Sequence, residues 1–546
     1  MKTSFFLAGL LFLASGCHQN TRFDASFNIV PQPVALTKQG NAFTIDGSVA
    51  LVFQNVDSAS SVKQYIETFF PKFFGQNLPV AGKAEKAIVF AINETPDADL
   101  KTEGYKLTVT EHEITVNANT PAGLVYGLQT LYQLAPAGVT ADKPEKITIP
   151  GVAVTDYPRF EWRGSHRDVS RHFFDVAHIK KHLDLMALYK LNKFHWHLTD
   201  DHGWRLETDK YPKLTEIGAW SVDRSNVAWR EGEPPKEGEP ATYGGFYTKD
   251  EVRDVVAYAA QRGIEVIPEI EIPGHCSEIL AAYPEFACDD FPYYVQIGPY
   301  WPPKAILCGG NDAVMVFLKE VLDEVADLFP SEYIHIGGDE AFKDNWKVCP
   351  KCQKRMKDLH LQNEEELQSW MIREVEKHVM LKGKKIIGWD EILEGGVTPS
   401  AVVMSWRGEK GGIEAARHGN YVIMTPDNFC YFNYYQADEE TEPQTIGGYV
   451  PLEQAYAFDP VSDSLTAEQA QYIMGGQANL WAEFLFTPEY AEYMLLPRLL
   501  ALSEAVWSPK ENKEWDFFVA KLPAQKQRLA ALNYNYCDKV AGIRKQ

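Results

Sequence analysis

From Phe160 to Trp507 the chain switches repeatedly between two hydrophobic patterns. Strand-like runs, continuous and apolar from the third to the seventh as strands buried on both faces should be, give way to stretches whose apolar residues recur three and four positions apart, as on one helical face. The first run is Trp162 to Ser170. Asp175 then caps a helix with Val176, Ile179, Leu183 and Met186 on one side. Leu191 to Leu198 is the second run. Thr248 and Glu251 form a capping box for a helix carrying Val252, Val255, Val256 and Ala259, which Gly263 ends. Ile264 to Ile270 is the third run, and Asn311 opens a helix through Phe317, Val321 and Val325. Tyr333 to Gly337 is the fourth, followed by a helix from Glu364 to Leu381. Lys385 to Trp389, Ala401 to Trp406 and Tyr421 to Met424 are the fifth, sixth and seventh. Tyr472 to Gly476 leads into an eighth ending near Trp481, and a helix spans Pro488 to Trp507. Eight such units predict an α/β fold, a (β/α)8 TIM barrel. An open doubly wound sheet is the competing architecture, but no Gly-x-Gly-x-x-Gly follows the first strand.

Upstream, Phe43–Ile45, Ala87–Ile92, Tyr105–Thr110 and Glu113–Val116 read as strands. Pro121 starts a helix over Ala122–Leu134. The expected organisation is a signal peptide over 1–17, a small α+β accessory domain over 24–155, a catalytic barrel over 156–508, and a C-terminal helix and tail over 509–546. The accessory domain shows no convergent polar cluster, so its expected role is structural or positioning. The connections Asp201 to Tyr247 and Pro426 to Thr466 are long enough to be functional loops.

Composition narrows the partners. Hydrophobic residues are 45% of the 546, enough for large cores. A net charge of −22 argues against nucleic acid and against an anionic membrane surface. Lys2, the apolar run Phe5–Ala14 and Ser15-Gly16-Cys17 form an export signal too short to span a bilayer. The residues before Cys17 resemble a bacterial lipoprotein cleavage site, although Leu13 sits one position further away than usual. The expectation is an exported protein, lipid-anchored through Cys17 at the bacterial cell envelope (periplasm or outer membrane), touching membrane only through that anchor. Plain secretion with loss of Cys17 is the alternative. Cys349-Pro350-Lys351-Cys352 lacks a second Cys pair or a His pair at zinc spacing, so a local disulfide or two loop thiols are expected there rather than zinc. The sequence leaves the oligomeric state open.

In a barrel the C-terminal strand ends surround one mouth, where catalysis sits. This chain places Arg171-His172 after the first strand and His195-Trp196-His197-Leu198-Thr199-Asp200-Asp201 at the second. Pro273-Gly274-His275 follow the third strand, and Gly337-Gly338-Asp339-Glu340 the fourth. Trp389-Asp390-Glu391, Trp406-Arg407, Tyr431 with Asn433, and Trp481-Ala482-Glu483 follow the other four. Two adjacent carboxylates cannot easily both ionise, so one pKa should rise. A group kept protonated near neutrality suits general acid work. Gly337-Gly338 breaks the pleat, so that both acids can face one ligand.

Together these motifs resemble glycoside hydrolase family 20, the β-N-acetylhexosaminidases, from Trp162 to about Trp507; the residues before Phe160 resemble the family's accessory domain more loosely. The resemblance implies hydrolysis of terminal non-reducing β-linked N-acetylhexosamine from oligosaccharides or glycoconjugates, with retention. The substrate's own 2-acetamido oxygen attacks the anomeric carbon, and water opens the resulting oxazolinium ion. By resemblance, Glu340 is the general acid and later the base, and Asp339 accepts the acetamido N–H and balances charge. Arg171 grips the 3- and 4-hydroxyls, and Glu483 accepts from a further hydroxyl. Trp389, Trp406 and Trp481 wall the site, Trp481 beneath the ring, and Tyr431 donates to the acetamido oxygen. Asn433 stands where many relatives carry Asp and some Asn, which leaves its hydroxyl partner open. Asp200 supports the site and His275 lies near the general acid, a buried pair suited to tuning Glu340. Neither cofactor nor metal is implied, and the partner is an N-acetylhexosamine-containing glycan.

Three rivals remain at this stage. His195, His197, His275 and Asp339 could ligate zinc in a metal-dependent hydrolase. The barrel could bind sugar without turnover, which the presence of Glu340 opposes. An ordinary two-carboxylate glycosidase would cleave 2-hydroxy glucosides as well as 2-acetamido ones.

Overall fold

The computed structural model describes residues 27–225, 227–299 and 304–539. The export signal and Cys17 lie outside the described residues. Eight parallel strands close into a barrel, paired in chain order with the last returning to the first. They are β1 (Trp162–Asp168), β2 (Lys193–His197), β3 (Glu265–Glu269), β4 (Tyr333–His335), β5 (Lys385–Trp389), β6 (Val402–Ser405), β7 (Val422–Met424) and β8 (Ile473–Ala478). The helix starts follow the caps in the sequence. Asp175 accepts from the His178 N–H, Thr248 and Glu251 form the capping box, and Asn311 caps the helix Asp312–Leu328. One expectation is corrected. The stretch from Pro488 to Trp507 forms two helices, Pro488–Leu495 and Arg498–Trp507, because Pro497 has no N–H to donate and disfavours helical geometry in the residue before it.

The barrel interior is polar. Alternation along β2 sends Phe194 and Trp196 outward, Trp196 meeting Tyr247 and Phe329, while His195 and His197 point inward. Strand register sets His197 beside Glu269 and Glu269 beside His335. The fully buried Glu269 carboxylate lies 2.9 Å from His195, 2.7 Å from His335 and 2.9 Å from the Trp389 indole nitrogen, and it also pairs with His197. Burial alone would raise Glu269, but the imidazoles hold it well below the usual range. His197 is pushed the other way: burial lowers it, yet Glu269 and Asp200 carry it up to about 10. Where many barrels stack Val, Ile and Leu, this one holds an ion cluster beneath its mouth.

The preceding domain is a six-stranded sheet packed on the helix Pro121–Leu134. It contains elements the pattern did not reveal: the strands Ala35–Lys38, Ala50–Gln54 and Val152–Asp156, and the helix Ser61–Phe69. It meets the barrel at the N-terminal end of β1, away from the mouth. There Lys190 pairs with Asp156 at 2.7 Å, both fully buried, and Arg163 pairs with Glu103 at 2.7 Å. Trp507 and Tyr105 also donate to Asp156. Removing one partner of a buried pair strands the other's charge, so Lys190→Met is expected to cost about 3–5 kcal/mol of stability. A denaturation midpoint matching the parent's would show that this pair does not hold the domains together.

Candidate active site

β4 ends at His335, and the chain then turns through Gly337 and Gly338 at φ 62° and 100°. A Cβ on Gly337 would lie 1.7 Å from the Glu271 carboxylate, and one on Gly338 would lie 2.7 Å from Ile392. Only glycine fits both positions, and the turn delivers Asp339 and Glu340 together to the mouth. Glu340 itself sits in left-handed backbone, φ 44°. A cleft of about 430 Å³ opens here, lined by Arg171, His275, Asp339, Glu340, Trp406, Tyr431, Asn433, Tyr434, Ile446, Gly447, Gly448, Trp481 and Glu483. That is the size of a small-molecule site.

His275 joins the acids to a buried charge chain. Its Nε2 lies 3.6 Å from both Asp339 and Glu340, and its Nδ1 lies 3.2 Å from Asp200 and from Asp201. Asp200 also meets Arg171 at 2.8 Å and His197 Nε2 at 2.9 Å. Burial would raise Asp200, but Arg171 and His275 hold it well below the usual range. Arg171 pairs with Asp168 at 3.0 Å, and Asp168 in turn accepts from the Ala482 N–H at 2.9 Å. Asp168 thereby fixes the guanidinium against the strand-eight loop. The sequence reading missed this residue, because an Asp inside a strand run carries no motif signal.

The expectation placed the rise on the general acid, with Asp339 ionised; the structure places one on Asp339 itself. Burial pushes it up to about 6; His275 opposes this, while Glu340, Glu269 and Asp200 add to it. Beneath it, Glu271 is buried with both carboxylate oxygens lacking hydrogen-bond partners among the described residues, and burial followed by Asp339 and Glu269 raises it well above the ordinary value. Glu271 thus underlies the Asp339 turn, with burial favouring its protonated form. Glu391, pushed up to about 8 by burial and by Asp339, accepts from the Trp406 indole at 3.0 Å. The sequence had given a site role to neither Glu271 nor Glu391.

The aromatic wall is smaller than expected. Trp406 stacks on Tyr431, centroids 5.9 Å apart at 19°, and Tyr431 meets Trp481 at 6.1 Å. Trp389 does not line the cleft. As the last residue of β5 it points into the barrel, is 1% exposed, and lies 5.7 Å beneath Trp481 with its N–H on Glu269. On the far side, the buried Asn433 Oδ1 has no hydrogen-bond partner among the described residues, and burial pushes Glu483 up to about 7 against the pull of Arg171. Both offer polar groups to an occupant. Tyr434 and Ile446–Gly448 come from the long loop after β7, which had been expected to be functional without these residues being singled out.

The metal-hydrolase set does not assemble. His195 and His197 turn down to Glu269, while His275 stays at the mouth. Of the two alternatives at Cys349 and Cys352, free thiols hold and the disulfide and the all-loop setting do not. Neither is in a disulfide, Cys352 lies within the helix Pro350–Asp358, and both are joined by Cys288 and Cys308.

The family model for the glycosyl hydrolase family 20 catalytic domain matches residues 160–510, and that for domain 2 of the same family matches 26–157. The chain is 43% identical over 533 residues to a β-hexosaminidase of Porphyromonas gingivalis; the match covers 95% of this chain but only 65% of that protein's length. It is 35% identical to a β-hexosaminidase of Vibrio furnissii, covering 88% of this chain and 76% of that one. Among solved structures, a GH20 exo-β-N-acetylglucosaminidase from Vibrio harveyi in complex with N-acetylglucosamine superposes with TM-score 0.82 at 32% identity, over 94% of this chain and 78% of that one.

Proposed function

The chain belongs to glycosyl hydrolase family 20, and from that premise we propose that it removes terminal non-reducing β-linked N-acetylhexosamine, GlcNAc or GalNAc, from oligosaccharides or glycoconjugates, with retention and with the sugar's 2-acetamido group as nucleophile. The observation that carries this reading is the placement of Asp339 and Glu340 side by side on one turn, sharing His275 at 3.6 Å. A nucleophile and an acid of the usual retaining kind would flank the sugar, about 5–5.5 Å apart. A carboxylate beside the acid is placed instead to hold the amide.

Glu340 gives its proton to the glycosidic oxygen as the amide oxygen bonds to the anomeric carbon and the leaving group departs. Asp339 accepts the amide N–H and, as an anion, balances the charge of the oxazolinium ion. Water then attacks the anomeric carbon, Glu340 takes its proton, and the acetamide is restored. Arg171, fixed by Asp168 and Asp200, together with Glu483 and Asn433, holds the hydroxyls; Trp406, Tyr431 and Trp481 enclose the ring and the acetamide.

An aryl 2-acetamido-β-glucoside should turn over while the aryl β-glucoside does not. Comparable cleavage of both would replace this mechanism with the two-carboxylate one. Because Asp339 is pushed up to about 6, it is ionised at neutral pH and gains a proton as pH falls through 6. kcat/KM, which reports the free enzyme, should therefore fall on an acid limb near pH 6. Asp339→Asn should abolish that limb; an unchanged limb in the variant would assign it to another group.

Export and lipid attachment at Cys17 complete the proposal, supported by the sequence of residues 1–17. Among the described residues, no helix is long and apolar enough to cross a membrane. The full-length protein should partition into detergent and lose that behaviour in Cys17→Ala; partitioning of the variant like the parent would refute the anchor.

A further inference from the structure

Four cysteines from three segments meet beside the mouth. Cys288 follows the loop after β3, Cys308 lies near the end of that connection, and Cys349 and Cys352 sit at the start of the helix Pro350–Asp358 after β4. The sulfurs lie 3.7 Å apart for Cys288–Cys352, Cys308–Cys349 and Cys308–Cys352, and all four are within 4.8 Å of one another. Cys308, Cys349 and Cys352 are buried. We propose that these four sulfurs bind one tetrahedral zinc ion as thiolates, and that this ion is structural.

Sulfurs placed about 2.3 Å from a common zinc stand about 3.8 Å apart along the edges of the tetrahedron, the spacing three of these pairs already show. A disulfide would bring two of them to about 2.05 Å. Cys308 is equidistant from Cys349 and Cys352, so the group is not sorted into pairs. A polynuclear iron–sulfur cluster would interpose metals and sulfides and drive the ligands further apart.

The backbone is shaped around the group. A Cβ on Gly310 would lie 2.1 Å from the Lys351 carbonyl carbon, so glycine is needed for this loop to reach the helix start. The Gly310 N–H is directed at the sulfurs of Cys308 and Cys352, as outer hydrogen bonds to metal-bound thiolates are. Cys349 is the residue immediately before the helix Pro350–Asp358, whose first turn carries Cys352. The same segments reach the reaction centre: Leu307 donates to the Pro273 carbonyl, two residues before His275, and accepts from the Trp346 indole, six residues after Glu340. Zinc here would fasten the loop holding His275 to the one holding Glu340 and take no part in bond breaking. Cys349-x-x-Cys352 alone lacked its other half in the sequence because Cys308 lies 41 residues from Cys349.

The test is metal analysis of the purified full-length protein together with zinc release by an organomercurial, read with a metallochromic dye. About one zinc per chain should be found, released as four thiols are titrated. Cys308→Ser and Cys352→Ser should carry little zinc and melt lower, while Cys537→Ser, altering a cysteine outside the group, keeps its zinc. Should the serine variants fail to fold, the stoichiometry on the parent still decides. Zinc-free protein with Cys288–Cys352 and Cys308–Cys349 disulfides, four thiols that take up no added zinc, or iron in its place would each overturn the proposal. None of these readouts depends on which glycoside is cleaved.

Discussion

Glu340→Gln should fold like the parent and lose about 10²–10⁴ in rate, the range for removal of a general acid–base group. The Glu340 side chain is 45% exposed and lies 3.6 Å from His275. The amide keeps the shape and strands no buried partner, so the loss is chemical rather than structural. The deficit should be deepest for oligosaccharides, whose leaving alkoxide needs the proton. It should shrink for aryl glycosides with good leaving groups, where only the water step still lacks its base. Turnover of a poor-leaving-group substrate within a few fold of the parent would remove Glu340 from this role.

Asp339→Asn should lower kcat more than it raises KM, because the anion matters most when the oxazolinium charge develops. An effect confined to KM would make Asp339 a ground-state contact only. Stability separates this from misfolding. The folded pKa of Asp339, about 6, lies above its ordinary 3.8. Between those values the unfolded chain has given up a proton that the folded chain retains, so stability falls as pH rises through the window and stays lowered above it. Asparagine escapes that penalty. The variant should melt no lower than the parent at pH 7.5 while being far less active; a large drop in Tm would point to collapse of the turn instead.

The other glycosidase rivals meet the same geometry. A binding-only barrel has no use for an acid and a carboxylate tied to one imidazole. A two-carboxylate enzyme needs its nucleophile across the sugar, and the acid beside Glu340 shares its turn. Zinc at the Cys288–Cys352 group would complicate a chelator test of the metal-hydrolase reading, since stripping a structural ion would cost activity through the loops. Melting temperature followed alongside rate distinguishes the two.

How much could be read beforehand differs residue by residue. The alternation of strand-like runs with striped helices located all eight strands, even though β1 and β2 bury polar side chains inside the barrel. The caps Asp175, Thr248 and Asn311 were legible because the first helical N–H groups lack partners within the helix. The order of motifs at the strand ends singled out Asp339, Glu340, Arg171, Asp200 and His275, which the fold gathers around one charge chain. Trp389 packs against Trp481 from inside the barrel, and strand position alone does not tell a wall from the layer behind it. Glu271 and Asp168 were missed because their surroundings come from other strands.

Within the barrel, the sequence by itself settled where the eight strands lie and which residue types reach the rim, because periodicity and capping are local. Only the tertiary structure decided that Glu269 sits among three imidazoles, that Asp339 bears the raised pKa, and that four cysteines share one point. Charge, burial and ligation depend on distances through space, and closing a barrel sets those between residues far apart along the chain.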